Sequence, residues 1–264
     1  MVRTLRRNAG LTGVNLARAI GISQSRISRI ETGHLIPYAD EVDRLADALR
    51  VDADTRIELH EQARAARSSM RSWRSLHARG FAQHQQTIAR WEQAAARIRL
   101  FQPNLVPGLL QTAEYARHAI ELSTTDQDIP SAVAARMARQ AMLSERGKSF
   151  EFLMTEGALR WRIAPTDVHA RQLNHVASLA TQANVSIGVI PWHAQVAAHQ
   201  STMFYLLDDD RAYVELLNGE VTTEDRNDVA QYAAAWSALS DAAVTGEDAI
   251  AELRRIASEL TRLA

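Results

Sequence analysis

The stretch LARAIGISQSRISRIETG, residues 16–33, decides how the first part of the chain folds. Its apolar residues recur at three- and four-residue spacing, which is typical of the inner face of a helix. Gly21 stands where the end of a helix favours glycine, and Ser23 can cap the helix that follows. The stretch and its flanks therefore predict two short helices, over residues 13–20 and 24–31, joined by a tight turn.

The same signals continue on both sides of this stretch. A short helix is predicted from Val2 to Asn8, and Asp40 and Asp52 can cap two further helices. Because the five helices share apolar positions at helical spacing, they predict a compact bundle over residues 1–67.

Two further segments follow the bundle. Residues 68–98 are polar and arginine-rich at first and then helical in pattern, so we expect a linker or bridging helices there. Residues 99–264 combine helical patterns with stretches that alternate like strands. These stretches are SFEFLMT (149–155), VSIGVIPW (185–192), TMFYLLDD (202–209) and AYVELLN (212–218). The expected fold class is mainly α with a mixed α/β C-terminal domain: a five-helix N-terminal helix-turn-helix bundle, a helical linker and a small sheet packed by helices.

The composition excludes several kinds of chemistry. Of the 264 residues, 46% are apolar, which is enough for the core of one large domain or two ordinary ones. The chain has no cysteine, so disulfides, thiolate metal sites and a cysteine nucleophile are excluded. It has neither the apolar run of a signal peptide nor a stretch of membrane-spanning length, and we therefore expect a cytoplasmic protein.

Charge is distributed unevenly along the chain. Residues 1–100 carry 17 arginines against 10 acidic residues, a net charge of +7. Residues 101–264 carry 13 basic against 21 acidic residues, a net charge of −8. This division fits a basic module that meets a polyanion, joined to an acidic module that does not.

The second helix of the quoted pair has a polar outer face. If Ile27 and Ile30 face inward, the side chains on the outer face are Gln24, Ser25, Arg26, Ser28 and Arg29. A helix-turn-helix places its second helix in the major groove of DNA, where glutamine can bond adenine and arginine can bond guanine. We therefore predict binding of double-stranded DNA; the alternative is a polar face in contact with water only.

This segment resembles the helix-turn-helix of lambda-repressor-like regulators, also called the xenobiotic-response-element family. The resemblance covers roughly residues 5–52, and its most specific parts are the LA-x-x-x-GIS core and the IETG ending. It implies that bases would be faced by Gln24, Ser25, Ser28 and Arg29, with Arg26 on a base or a phosphate. It also implies that the DNA backbone would lie near Thr12, Arg18 and Ser23. Family members often have glutamine, which contacts phosphate, where this chain has Gly13, so that contact is expected to be lost.

Residues from about 90 to 262 resemble the C-terminal domain of actinobacterial WhiJ-like transcriptional regulators, a domain of unknown function. The most distinctive piece is PGLLQTAEYAR, residues 107–117. The resemblance implies a transcriptional regulator, often paired with a small protein from a neighbouring gene in an arrangement likened to toxin–antitoxin pairs. It brings no established catalytic residues.

Large aromatic residues in or beside the predicted strands are candidates for an effector pocket, and an ordinary core is the alternative. They are Trp161, Trp192, Phe204, Tyr205 and Tyr213. The histidine pairs lack the helical spacing of metal ligands, and no glycine-rich nucleotide loop is present. We therefore expect no metal, no cofactor and no enzymatic activity.

These observations favour a sequence-specific DNA-binding transcriptional regulator. A homodimer is expected because one helix-turn-helix buries a small interface and usually needs a twin. The C-terminal domain would then serve dimerisation and the binding of a partner or a small-molecule effector. One alternative is an antitoxin-like autoregulatory protein that holds a small partner protein through this domain; another is an enzyme that the DNA-binding module targets.

Overall fold

In the computed structural model, residues 1–72, 81–123, 128–199 and 202–262 are described. The chain divides into two compact units, Met1–Ser69 with Thr222–Arg226, and Met70–Val221 with Asn227–Ala264. The smaller unit holds the N-terminal helices, and the larger unit holds a sheet with helices on both faces.

The N-terminal unit is a bundle of five helices. They are α1 Val2–Asn8, α2 Gly13–Ile20, α3 Gln24–Glu31, α4 Ala39–Leu49 and α5 Ala53–Arg67. Their shared core is centred on Leu16, Ile27 and Leu45, each at most 1% exposed. The bundle predicted from apolar spacing is thereby confirmed.

The helix starts follow the predicted caps with one exception. Asp52 caps α5, since its Oδ1 accepts the backbone N–H of Thr55 at 2.7 Å. By contrast, α4 begins before Asp40, and its cap position is Tyr38. The carboxylate of Glu41 accepts the backbone N–H of Tyr38 at 2.9 Å, so the capping carboxylate lies inside the helix and reaches back to its start.

The larger unit contains, wholly or mainly, the remaining elements. Its helices are α6 Phe81–Ala94, α7 Ala113–Ser123, α8 Ile129–Arg139, α9 Glu156–Arg160, α10 Thr166–Leu179, α11 Arg226–Asp241 and α12 Gly246–Thr261. Two 3-10 turns lie at Gly108–Leu110 and Gln140–Ser144. The strands are β1 Ser68–Ser72, β2 Arg97–Gln102, β3 Ser149–Thr155, β4 Val185–Ile190, β5 Phe204–Leu207, β6 Arg211–Leu216, β7 Gly219–Thr223 and β8 Val244–Thr245.

The strands form one mixed sheet in the order β1-β7-β6-β5-β2-β3-β4-β8. Its centre is parallel: Leu100 of β2 lies opposite Phe152 of β3, which lies opposite Ile187 of β4. On the outer sides, β5 runs antiparallel to β2, β6 antiparallel to β5, and β8 antiparallel to β4. The mixed α/β class expected for this region is confirmed.

Side chains from the two faces of the sheet pack into two separate cores. Successive residues of β5 alternate between them, with Phe204 in one core and Tyr205 in the other, as the pleat of a strand requires. Helices α10 and α12 contribute to the core that contains Tyr205, for example through Leu173 and Ile256. The opposite core is closed by α11 through Trp236.

Residues 68–98, expected to form a linker or bridging helices, contain helix α6 at Phe81–Ala94 but also strand residues. Of residues 68–98, the structure places 68–72 in strand β1 and 97–98 in strand β2, while residues 73–80 lie outside the described residues. Helix α6 buries Ile88 in the core of the larger unit, and its Glu92 is fully buried. The segment looks polar in sequence because α6 buries charged and amide groups that find partners only in the folded unit.

Candidate nucleic-acid interface

The turn between α2 and α3 is held by local interactions that its sequence provides. Thr12 caps α2, because its hydroxyl accepts the backbone N–H of Asn15 at 3.1 Å. Gly21 ends α2 in the left-handed conformation, at φ 72°, where a residue with a side chain would be strained. Ser23 then caps α3 by accepting the backbone N–H of Arg26 at 3.2 Å. The chain therefore passes from α2 into α3 within three residues.

Helix α3 has one buried and one exposed face. Ile27 and Ile30 are 1% and 7% exposed, and Ile27 shares a core with Leu16 and Ile20 of α2. The predicted base-facing residues Gln24, Ser25, Ser28 and Arg29 are all exposed. Thus α3 presents amide, hydroxyl and guanidinium groups outward, while its opposite, apolar face is held in the bundle.

Arg26 stands apart from the other outward residues. Its Nε lies 2.6 Å from Oε1 of Glu41, and its Nη2 lies 3.0 Å from Oε2. Burial alone would raise the pKa of Glu41, but hydrogen bonds from Arg26 and from the N–H of Tyr38 outweigh it and hold this pKa below its usual value. The structure therefore uses Arg26 to join α3 to the start of α4, a contact that differs from its expected place on a base or phosphate.

A second ion pair joins α1 to the end of α3. Nε and Nη2 of Arg6 lie 2.5 Å and 3.1 Å from the two carboxylate oxygens of Glu31, and Nη1 donates to the carbonyl of Leu11 at 2.7 Å. The Arg6 guanidinium lowers the pKa of Glu31 through this hydrogen bond. This ion pair was not predicted from the sequence, because its partners lie 25 residues apart.

The residues expected near the DNA backbone lie at the start of α2, in its last turn and at the start of α3. Thr12, Arg18 and Ser23 are all exposed. Gly13 lies beside α3: a β-carbon at this position would stand 3.8 Å from Nε2 of Gln24, an ordinary van der Waals contact. The first positions of α2 and α3 therefore adjoin each other, and a larger residue than glycine fits at the first of them.

The five aromatic residues proposed as an effector pocket do not line one cavity. Tyr205 and Tyr213 share a core, with ring centroids 5.7 Å apart, whereas Phe204 lies in the core on the opposite face of the sheet. Trp161 and Trp192 are 64% and 70% exposed. The period of two along each strand separates residues that are neighbours in sequence.

Comparison with known proteins agrees with the two-part architecture. A model of the helix-turn-helix domain matches residues 2–59. With the exposed polar face of α3, this match places the chain in the class of DNA-binding regulators. The chain belongs to the family described as Domain of unknown function (DUF5753), whose model matches residues 85–255. No curated protein matches the chain.

Similarity to solved structures is low. The phospholipase D family member Nuc from Salmonella typhimurium is 12% identical, over 61% of this chain and 90% of that chain, with a TM-score of 0.33. NucT from Helicobacter pylori is 10% identical, over 68% and 98% of the two chains, with a TM-score of 0.38. The archaeal chromatin protein TrmBL2, whose structure shows a novel mode of DNA binding, is 10% identical, over 89% and 87%, with a TM-score of 0.34. These scores carry no functional inference.

The described part of the chain contains neither a membrane-spanning helix nor a cluster of metal ligands. Within it, no helix is both long enough and apolar enough to cross a membrane. The same residues contain no group of three histidine, aspartate or glutamate side chains positioned to hold a metal ion.

Proposed function

We propose that this protein is a sequence-specific transcriptional regulator that reads the major groove of DNA with α3. One observation carries the proposal: Gln24 and Arg29 project from an exposed helix face whose reverse side, at Ile27, is buried in the bundle. The match to a helix-turn-helix domain supports it. We also propose that the protein is related to the xenobiotic-response-element family and to WhiJ-like regulators.

The outward side chains have the chemistry that base recognition requires. Arg29 can donate two hydrogen bonds to guanine, and Gln24 can pair with adenine through its amide. Ser25 and Ser28 complete the base-facing set as short hydroxyl donors and acceptors. Arg26 contributes chiefly by fixing α3 through Glu41, and its remaining donors face the phosphates.

The phosphate contacts come from the rim of this face. Thr12 and Ser23 are exposed hydroxyl residues at the first turns of α2 and α3, where backbone N–H groups favour an anion. Arg18 adds a positive charge at the end of α2. Contacts of this kind set the position of the protein on DNA and make its affinity depend on salt.

We further propose that the active species is a homodimer. A single eight-residue recognition helix covers only a few base pairs, and two copies related by a two-fold axis would read half-sites about 34 Å apart. The larger unit is proposed to hold the two copies together. Sedimentation of the full-length chain, alone and with a palindromic duplex, tests this part.

The decisive experiment selects bound duplexes from a random pool with the full-length protein and then measures Arg29→Ala against the selected site. We expect the substitution to weaken binding by about 1–3 kcal/mol and to relax preference at one base pair. Arg254→Ala changes an exposed arginine of α12 and serves as the matched control, with unchanged affinity expected. An Arg29→Ala protein with the same affinity and the same selected sequence would refute the assigned register.

A second candidate function rests on the acidic C-terminal half, whose net charge of −8 favours a basic partner. In this version the protein is an antitoxin-like autoregulator, and the larger unit holds a small protein from a neighbouring gene. This version is favoured over ligand sensing if that gene product co-purifies with the full-length protein and if high salt releases it.

A further inference from the structure

The larger unit contains a cavity that the DNA-binding proposal does not use. It has a volume of about 320 Å³ and lies between α6, α7, α8 and the sheet strands β2, β5 and β6. Sites for small molecules have volumes of about 300–1,000 Å³, so this cavity is at the small end of that range. Its wall combines buried polar groups on one side with apolar groups at the mouth.

The central polar group of the wall is Arg136 of α8, which is 9% exposed. Its Nη1 donates to Oε1 of Gln111 at 2.6 Å, and Gln111 is held in turn by donating to the carbonyl of Val106 at 2.7 Å. The Nε of Arg136 is buried and has no hydrogen-bond partner among the described residues. Within the same set of residues, Arg136 forms no ion pair.

Arg139, one turn further along α8, is also buried but is fully paired within the protein. Its Nε and Nη2 lie 3.0 Å and 2.5 Å from the two carboxylate oxygens of Glu92, and its Nη1 donates to Gln85 at 2.5 Å. The charge of Arg139 is therefore matched within the protein. The charge of Arg136 is not matched in this way, although both side chains line the same cavity.

Burying a cation without a bonded anion costs free energy, and the lowered pKa of Arg136 reflects that cost. Burial, together with the positive charge of Arg139, lowers the pKa of Arg136 to about 10. The group nevertheless remains charged at neutral pH. An anion in the cavity beside this guanidinium would supply the missing countercharge.

One carboxyl group of the protein, that of Glu215, also faces the cavity. It accepts a hydrogen bond from the hydroxyl of Tyr213 at 2.8 Å and makes no ion pair with Arg136 among the described residues. Burial raises the pKa of Glu215, while the hydrogen bond from Tyr213 and the positive charge of Arg136 act in the opposite direction. An ionised Glu215 would repel a ligand that brings a second negative charge into the cavity.

The mouth of the cavity is apolar. Leu122 is 70% exposed and Leu217 is fully exposed, and both line the cavity together with the partly buried Leu105. Exposed leucines in the lining of a partly polar cavity suit a ligand whose outer part is hydrocarbon. The lining thus combines a buried cation with exposed apolar side chains.

We propose that this cavity binds a small organic monocarboxylate, with its carboxylate beside the guanidinium of Arg136 and its apolar portion against Leu105. The planar guanidinium offers two parallel donors along one edge, which match the two oxygens of a carboxylate. A phosphate dianion fits less well because the cavity provides one unmatched cation, and Glu215 stands nearby. This inference is independent of DNA binding, because the cavity residues belong to the larger unit.

Titration of the full-length protein with sodium octanoate, followed by calorimetry without DNA, tests the proposal. We expect saturable binding with a dissociation constant below about 1 mM, and octanamide should bind at least about tenfold more weakly because it lacks the charge. Acetate, hexanoate and benzoate extend the series to smaller and flatter acids. Failure of every acid to bind the folded protein, or equal binding of octanoate and octanamide, overturns the proposal.

Two variants locate the site. Arg136→Gln should weaken octanoate at least about tenfold, while Arg146→Gln, which changes an exposed arginine of the same unit, should not. Leu105→Trp leaves Arg136 in place but fills the mouth, and it should abolish octanoate binding while the circular dichroism spectrum stays unchanged. If Arg136→Gln does not fold, Leu105→Trp decides the question. Octanoate binding to a folded Leu105→Trp protein at wild-type affinity, or inorganic phosphate binding as tightly as octanoate, contradicts the assignment.

Discussion

The guanidinium of Arg26 lies with two of its nitrogens on the two carboxylate oxygens of Glu41, at 2.6 Å and 3.0 Å. This pair joins the first turn of α3 to the first turn of α4, and Glu41 at the same time accepts the N–H of Tyr38. Because the Glu41 side chain is only 6% exposed, the pair is screened less than a surface ion pair. It fixes the rotation of the proposed recognition helix about its own axis.

Glu41→Gln is therefore expected to loosen α3. The substitution keeps a polar side chain but removes the charge that Arg26 contacts, and we expect the bundle to lose about 1–3 kcal/mol of unfolding free energy. Hydrogen exchange of the α3 amides in the full-length protein measures the change. Asp40→Asn is the matched control, since Asp40 pairs with Arg44 on the surface, where such a pair contributes about 0–1 kcal/mol. Equal protection of α3 in both variants would contradict the role given to Glu41.

Acid should weaken the bundle through Glu31. The hydrogen bond from Arg6 holds the pKa of this carboxyl in the folded protein below its usual value of 4.5. A lowered folded pKa means that the unfolded chain takes up the proton more readily. The stabilising contribution is thus complete above about pH 4.5 and is lost as the pH falls through the folded pKa.

Glu31→Gln isolates this contribution. At pH 7 the variant is expected to be less stable than wild type by about 1–3 kcal/mol, because a charged hydrogen bond to Arg6 is lost. The difference between the two proteins should shrink as the pH falls through the lowered folded pKa of Glu31, where the wild-type side chain also becomes neutral. Hydrogen exchange of α1 and α3 from pH 3 to 7 provides the comparison. A difference that is independent of pH would show that the ion pair is not its source.

Gly13→Gln is expected to strengthen DNA binding. The position has room, since a β-carbon there would stand 3.8 Å from Nε2 of Gln24, and the added amide can reach both that side chain and a phosphate. A gain of about 0.5–1.5 kcal/mol is expected, with an unchanged salt dependence because glutamine carries no charge. Gly13→Ala controls for the greater helix propensity of any residue that replaces glycine. Equal affinities for the glutamine and alanine variants would exclude the added phosphate contact.

Gly188→Ala should destabilise the larger unit. A β-carbon at Gly188 in β4 would lie 2.5 Å from Cδ2 of Leu153 and 3.2 Å from Cβ of Ala243. Forcing a methyl group into a filled core costs about 1–3 kcal/mol, which thermal unfolding followed by near-ultraviolet circular dichroism can detect. Ala243→Gly removes one of the two contacts and is expected to restore part of the loss in the double variant. Wild-type stability of Gly188→Ala would mean that Leu153 moves without cost.

The N-terminal bundle shows which features follow from local chemistry. Predicted and observed bounds agree for α2 and α3 because Thr12, Gly21 and Ser23 act on backbone groups within a few residues of themselves. The exposure of Gln24 and Arg29 follows from the same helical period that buries Ile27. Residues with short-range effects are readable from a single chain.

The larger unit shows where local patterns stop being sufficient. No strand is predicted at residues 97–102, where the helical pattern ends, but they form β2 because β3 and β5 lie on either side of them. Strands at 219–223 and 244–245 were likewise not predicted, since each is short. The strand β8 pairs with the distant β4, and β7 lies between its chain neighbour β6 and the distant β1. Pairing of this kind depends on tertiary neighbours.

By itself, the sequence determined the five-helix bundle, the tight turn between α2 and α3, the outward polar face of α3 and the presence of a mixed α/β region after it. Only the tertiary structure decided that Arg26 is held by Glu41, 15 residues away, and that Arg136 is buried beside a matched Arg139. The physical reason is range: caps and apolar periods act over one or two turns, whereas ion pairs, sheet register and cavities exist only after distant segments have packed together.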